Sequence, residues 1–173
     1  MSKTTLKFIF LGLLLMALQV MVFNHIALLG YAVGFIFIYI LVNLPLTLSV
    51  NWIMTIGFFM GLTVDIFADT QGMNAISCTI LAALRRPVIK LYFPREEDIT
   101  DPCPSARSLG FPVFAKYALT LSAIYCLTIF LVESMSFFRP LTLLIRIVAS
   151  TVLTFLLLIA TDSLTSSHNE KRL

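Results

Sequence analysis

Residues 48–92 read LSVNWIMTIGFFMGLTVDIFADTQGMNAISCTILAALRRPVIKLY, and this stretch decides the fold. Two apolar runs lie on either side of a short polar turn that contains Gly72. A helix needs about 20 mostly apolar residues to cross the hydrocarbon core of a bilayer, and the first run has that length. The second run is interrupted near its end by Arg85 and Arg86. This pattern predicts two antiparallel membrane helices joined by a tight turn.

The composition of the whole chain agrees with a membrane protein. Of its 173 residues, 59% are hydrophobic and 12% are charged, whereas about a quarter of the residues in a soluble domain are charged. Lipid must therefore be the main solvent, and little of the chain remains for a soluble catalytic domain. The net charge of +3 does not indicate a nucleic-acid partner, because the basic residues cluster at the chain ends and in loops, where they set membrane topology.

Six apolar runs predict an all-α polytopic bundle with six transmembrane helices. A break at Asn24 and His25 divides the first 35-residue apolar run, which is too long for one crossing. A hydrophilic loop over 94–112 and a tail over 162–173 are both predicted to be cytoplasmic. The turn around Pro45 carries no charge, which leaves a re-entrant or four-span arrangement open. The predicted spans are about 5–23, 27–43, 48–67, 73–92, 113–132 and 140–161.

The positions of the lysines and arginines predict that both termini are cytoplasmic. With the N-terminus inside, only Arg139 falls on the outer side, and Arg146 lies within the sixth span. This distribution follows the positive-inside rule. The residues on or near the inner side are Lys3, Lys7, Arg85, Arg86, Lys90, Arg95, Arg107, Lys116, Lys171 and Arg172.

One face of the third span carries small residues and then carboxylates. Gly57, Gly61, Asp65 and Asp69 follow one another at i, i+4 spacing, so a helix places them in one slowly drifting stripe. Small residues allow close helix packing, and the two carboxylates then lie near the outer end. The stripe is either a packing seam with interfacial acids or part of a polar site.

Polar residues on the fourth and sixth spans also fall on single helix faces, and they predict a polar interior. Arg146 would lie about two turns below the outer surface, where a guanidinium needs a partner, water or a path to the headgroups. The sharpest structural hypothesis is an ion pair between Asp65 and Arg146, and the alternative is that Arg146 reaches the outer headgroups. The candidate interior pocket comprises Asp65, Asn74, Ser77, Arg85, Arg146, Ser150 and Thr154.

No catalytic or metal-binding pattern occurs in the sequence. His25 and His168 lack ligand spacing to a cysteine, a carboxylate or a second histidine. Motifs for a nucleophilic serine, a zinc protease or a phosphate-binding loop are missing. A membrane hydrolase would need a nucleophile and a base that these residues do not supply. The sequence therefore predicts no enzyme activity, no cofactor and no metal.

Residues 58–92, FFMGLTVDIFADTQGMNAISCTILAALRRPVIKLY, resemble the rod shape-determining protein MreD family. The family pattern F-x-x-G-x-x-x-D passes through a turn glycine into the next helix. Phe58 or Phe59 fills the first place, and Gly61, Asp65 and Gly72 fill the others. The remainder of the chain agrees with the family in size and hydropathy.

The resemblance implies a multi-pass protein of the bacterial cytoplasmic (inner) membrane that belongs to the cell-elongation machinery. It implies binding to the bitopic protein MreC and, through it, a link between MreB filaments and peptidoglycan synthesis that maintains cell shape. It also implies a fold similar to the six-helix substrate-binding subunits of energy-coupling-factor transporters, with a central cavity among the later spans. The favoured function is a non-enzymatic scaffold, and the alternative is a small-molecule or lipid-binding transport subunit.

Overall fold

The structure, a computed structural model, describes residues 3–23, 32–92, 103–134 and 140–170. Every regular element of more than one residue within these ranges is helical, so the predicted all-α class is confirmed for them. The elements are α1 (Lys3–Leu18), which continues into a π-helical turn (Gln19–Phe23), α2 (Ile38–Asn43), α3 (Val50–Ala68), α4 (Met73–Tyr92), α5 (Ala106–Leu109), α6 (Phe111–Ser134) and α7 (Pro140–Glu170).

Helices α3 and α4 form the antiparallel hairpin that residues 48–92 predict. Helix α3 ends at Ala68 because Asp69 adopts a left-handed conformation with φ of 52°, and its N–H bonds the carbonyl of Asp65. Aspartate tolerates this conformation better than most residues do. Gly72 follows with φ of 76°, which favours glycine. Two left-handed residues thus reverse the chain within one short turn.

The helices pack in the order α3, α4, α6 and α7, each against the next. Helix α6 supplies the largest buried side chains on the far side of α4, among them Phe114, Tyr117 and Tyr125. Residues 33–43 pass through the interior, and all of them are buried or half-buried. Phe35 contacts Tyr125 edge-to-face, with ring centroids 4.9 Å apart. The core therefore lies between α4, α6, α7 and residues 33–43.

A continuous second span over 27–43 is wrong for the residues that the structure describes. Residues 33–36 are not helical, and the only helix in this part is α2, which is six residues long. The part of the predicted span before residue 32 lies outside the described residues. Backbone groups that no helix satisfies must find other partners when they are buried, and side chains of other helices fill this role.

The predicted loop and tail are more helical than expected. The described part of the loop over 94–112 contains α5, and α6 already begins at Phe111. Helix α7 runs on to Glu170, through most of the tail predicted over 162–173. No glycine or proline follows Pro140, and these are the residues that most often end a helix. Hydropathy therefore predicted where the apolar part of α7 ends, and the helix itself continues beyond that point.

Three described segments are long and apolar enough to cross a membrane: Val50–Ala68, Phe111–Ser134 and Leu141–Thr165. A shorter apolar stretch, Phe10–Met21, runs from α1 into the π-helical turn. Large apolar side chains point outward from every long helix, as expected for surfaces that contact acyl chains. The structure supports a helical membrane protein, and six crossings stay a prediction.

Candidate functional site

Asp65 is the centre of a polar cluster at the turn between α3 and α4. Its side chain is 2% exposed. One carboxylate oxygen accepts hydrogen bonds from the backbone N–H of Asn74 (3.0 Å), the side-chain amide of Asn74 (2.8 Å) and the hydroxyl of Thr70, and the other accepts from the backbone N–H of Ala75 (2.8 Å). The first N–H groups of a helix lack partners within it. Asp65 therefore caps α4 from the neighbouring helix, where a negative charge is also favoured by the helix dipole.

The cluster extends from the turn to α6. The hydroxyl of Tyr125 donates to the side-chain oxygen of Asn74 at 2.6 Å. Three helices are therefore joined by one chain of hydrogen bonds, from Asp65 through Asn74 to Tyr125. Ser77 does not join this network, because its hydroxyl bonds the carbonyl of Met73 within α4.

The stripe of small residues on α3 is a packing seam within the chain. A Cβ atom added to Gly61 would lie 2.5 Å from the carbonyl oxygen of Asn74 and 2.6 Å from Cα of Ala75. At Gly57 the nearest atom would be the carbonyl oxygen of Cys78, at 3.0 Å. The absence of side chains thus lets α4 approach the backbone of α3. Asp69 leaves this stripe at the end of the helix and is exposed.

The hypothesis of an ion pair between Asp65 and Arg146 is wrong. Arg146 on α7 bonds Glu133 on α6 at 2.9 Å, and its guanidinium lies 4.9 Å from the ring centroid of Phe130. The oxygens of Asp65 accept hydrogen bonds from its own turn and from α4 instead. The aspartate therefore bonds groups close to it in the chain, and the arginine bonds a different carboxylate.

Gln19 and two hydroxyls of α7 hold the non-helical residues 33–36, here called the threaded segment. The amide of Gln19 donates to the carbonyl of Gly34 at 3.1 Å and accepts from the N–H of Ile36 at 2.9 Å. On α7, Ser150 Oγ accepts from the N–H of Val33 (3.0 Å), and Thr154 Oγ1 accepts from the N–H of Phe35 (3.2 Å). Non-helical backbone at membrane depth requires such partners, and Ser150 and Thr154 are therefore structural acceptors.

Replacing Thr154 with valine tests this assignment. The substitution keeps the shape of the side chain but removes the hydroxyl that accepts from Phe35 N–H, leaving a buried donor without that partner at a cost of about 1–3 kcal/mol. Amide hydrogen exchange in residues 33–36 should accelerate by about tenfold or more. Thr128→Val is the control, because that hydroxyl bonds only the carbonyl of Ile124 in its own helix. Equal protection in both variants would contradict the assignment.

Arg85 and Arg86 hold the uncharged turn that follows α2. Arg85 donates through Nε to the carbonyl of Val42 (3.3 Å) and the hydroxyl of Tyr117 (3.1 Å), and Nη2 bonds the carbonyl of Leu44. Arg86 Nη2 donates to the carbonyls of two further turn residues, 46 (2.8 Å) and 48 (2.9 Å). The two arginines thus bind alternate carbonyls from the last turn of α2 into the non-helical turn that follows it.

A second buried carboxylate, Asp162, closes the same end of the bundle. It accepts hydrogen bonds from the hydroxyl of Tyr39 on α2 (3.2 Å) and from the backbone N–H of Ala106 at the start of α5 (3.1 Å). These bonds join α2, α5 and α7. The predicted polar residues therefore form separate groups along the bundle, with Asp65 and Asn74 at one end, Ser150 and Thr154 beside the threaded segment, and Arg85 at the other end.

No family model, curated protein or solved structure matches the chain. Within the described parts of the chain, His, Cys, Asp and Glu nowhere form a group of three or more that could hold a metal ion.

Several residues that build these groups were not predicted as site residues. Gln19, Tyr117, Tyr125 and Asp162 are all almost completely buried and all bond other elements. Gln19 had a usable signal, because a lone polar residue in an apolar span usually bonds another helix. The tyrosines had none, since tyrosine is common both inside a bundle and at the membrane interface.

Proposed function

We propose that this chain is a non-enzymatic membrane scaffold of the bacterial cell-elongation machinery. It binds an MreC-like bitopic protein in the inner membrane and connects MreB filaments to peptidoglycan synthesis. The resemblance of residues 58–92 to the MreD family supplies the biological context. Asp65 is the one acidic residue of the motif. The structural observation that supports the proposal is that both of its carboxylate oxygens accept hydrogen bonds from within the chain.

A scaffold function agrees with the way in which this chain uses its buried polar groups. An acid or base in catalysis must reach a substrate proton, whereas Asp65 caps a helix and Thr154 holds backbone. Such networks stabilise one arrangement of helices when their members are satisfied. A fixed arrangement presents a constant outer surface, which is what a binding partner needs.

We place the partner on the α3 outer face, defined by Trp52, Phe59 and Ile66. These residues are spaced by seven, so they lie on one side of the helix, and each is at least 60% exposed. The opposite side of α3, with Gly57 and Gly61, packs against α4. Helices associate in lipid through van der Waals packing, and large aromatic side chains offer much contact area to a single crossing helix.

Phe59→Ala should reduce co-purification of the MreC-like protein about tenfold, because it removes the central side chain of the α3 outer face. Protein abundance should not change, since Phe59 is 60% exposed and contributes little to the core. The matched control is Phe111→Ala, an equally bulky residue that is 59% exposed at the start of α6. Unchanged co-purification with Phe59→Ala, or equal loss with both variants, would contradict this placement.

A transport subunit that binds a small molecule or lipid is the second candidate. The observation that favours it is the threaded segment 33–36, because interrupted helices often form the binding sites of transporters. The Thr154→Val variant separates the two candidates. A transport subunit should lose a bound small molecule in native mass spectra of this variant, whereas a scaffold should keep its partner.

A further inference from the structure

Asp162 is a buried acid whose partners in the described chain are all uncharged. The residue is 3% exposed. It interacts with the hydroxyl of Tyr39, the backbone N–H of Ala106 and the side-chain amide of Asn43. Burying an ionised carboxylate without a cation beside it is costly, and an acid in such a place tends to take up a proton instead. An ionisable residue within a membrane helix is often part of a functional site.

The other buried acid, Asp65, has different surroundings. Two backbone N–H groups of the first turn of α4 bond it, and these groups can only donate and lie at the positive end of the helix dipole. Asp162 accepts from one backbone N–H, that of Ala106, in a helix of only four residues. The side chains of its other neighbours, Tyr39 and Asn43, can accept hydrogen bonds as well as donate them. The surroundings of Asp65 therefore favour the ionised form, and those of Asp162 accommodate the neutral acid.

The lengths of the hydrogen bonds agree with this difference. The hydroxyl oxygen of Tyr39 lies 3.2 Å from Oδ1 of Asp162, and the nitrogen of Ala106 lies 3.1 Å from Oδ2. A hydroxyl that donates to an ionised carboxylate usually lies closer, at about 2.5–2.7 Å. The side-chain nitrogen of Asn74 is 2.8 Å from Asp65. The bonds to Asp162 thus have the lengths of bonds between neutral groups.

The other ionisable groups around Asp162 leave a negative charge there uncompensated. Tyr39 on α2 and Cys103, which lies near Tyr39, are neutral at about pH 7. Helix α5 has one charged residue, Arg107, whose side chain is exposed. Helix α4, which packs against α2, contributes Arg85, whose hydrogen bonds go to uncharged groups. Neither arginine is among the described partners of Asp162.

We infer that Asp162 is a proton-binding site of the folded protein. The proton comes from water at the end of the bundle, where the next residue of α7, Ser163, is exposed. It binds to Oδ1, which then donates to the oxygen of Tyr39, and the hydrogen of Tyr39 turns to Thr165, whose side chain interacts with that hydroxyl. Oδ2 continues to accept from the N–H of Ala106. The bound proton thus leaves each of these groups with a partner.

Infrared spectroscopy of the full chain in a neutral detergent detects this proton directly. At about pH 6 ordinary aspartate and glutamate side chains are ionised, so the C=O stretching band of a protonated carboxyl group reports an acid that is not. We expect this band in the wild-type protein, its loss in Asp162→Asn and its retention in Asp69→Asn, which changes an exposed acid. A wild-type spectrum without the band, or a band that survives in Asp162→Asn, overturns the inference.

The pH dependence of unfolding is the second measurement. The folded protein holds a proton that the unfolded chain releases, so wild-type stability should fall as the pH rises from about 5 to about 8. Asparagine has the shape of the protonated acid, since its amide can donate to Tyr39 while its oxygen accepts from Ala106. Asp162→Asn should therefore match the wild-type unfolding temperature at about pH 5 and exceed it by about 3 °C or more at about pH 8.

The control, Asp69→Asn, should follow the wild-type protein at both pH values. Failure of Asp162→Asn to fold, or an unfolding temperature below that of the wild-type protein at both pH values, would show that the ionised carboxylate is the native form. Either result overturns the inference.

Discussion

Gly61→Leu should leave almost no folded protein in the membrane. The first added carbon would lie 2.5 Å from the carbonyl oxygen of Asn74 and 2.6 Å from Cα of Ala75, so it meets backbone that cannot rotate away. Even Gly61→Ala should cost about 3 kcal/mol, at the upper end of typical overpacking penalties. The larger side chain would force α3 and α4 apart and break the bonds between Asp65 and α4. A protein with about 5–15 kcal/mol of stability has little reserve against this loss.

Membrane abundance and the midpoint of unfolding in detergent measure this effect. Gly12→Ala is the control, because the nearest atom to its added carbon would be the terminal methyl group of Ile40, 3.3 Å away, which can move. Alanine also favours a helix by about 1 kcal/mol over glycine, so the control should be neutral or stabilising. Wild-type abundance and midpoint for Gly61→Leu would show that α3 and α4 are not packed as described.

Asp65→Asn should lower the free energy of unfolding by about 3 kcal/mol. The substitution keeps the size of the side chain but turns one acceptor oxygen into an amide donor. Every group around the carboxylate donates, namely Thr70, Asn74 and Ala75. At least one buried N–H would therefore face another donor, and the remaining bonds would lose the strength that the negative charge gives them.

The matched control for that substitution is Asp69→Asn, four residues further along the chain. Asp69 is exposed and adopts a left-handed conformation that asparagine also tolerates. It should therefore leave the free energy of unfolding within about 0.5 kcal/mol of the original value. If the two variants unfold alike, Asp65 does not cap α4.

The sequence predicted the α3–α4 hairpin well because several independent signals agree there. The apolar run of α3 has the length of one crossing, Gly72 marks the turn, and the bounds of α4 coincide with the predicted span over 73–92. The alignment of Gly57, Gly61 and Asp65 on one face followed directly from helical spacing. Each of these features depends on residues close together in the chain, where pattern and structure are linked by simple geometry.

The interrupted second span could not be predicted from its own residues. The stretch 33–43 is almost wholly apolar, so hydropathy alone favours a membrane helix. Its break is stabilised by Ser150 and Thr154, which lie more than 110 residues further along the chain. The wrong pairing of Asp65 with Arg146 has the same origin. Spacing shows that a polar group needs a partner, but only the packed structure shows which donor or acceptor lies within hydrogen-bond distance of it.

The threaded segment also bears on the order in which the chain is made. During synthesis residues 33–36 leave the ribosome long before Ser150 and Thr154 exist, so two of their amides have no acceptor from α7 in the early chain. Until then the nascent stretch must satisfy those amides itself, as a transient helix, or remain near water. The hydrogen bonds that hold segment 33–36 are therefore completed only after α7 has been synthesised.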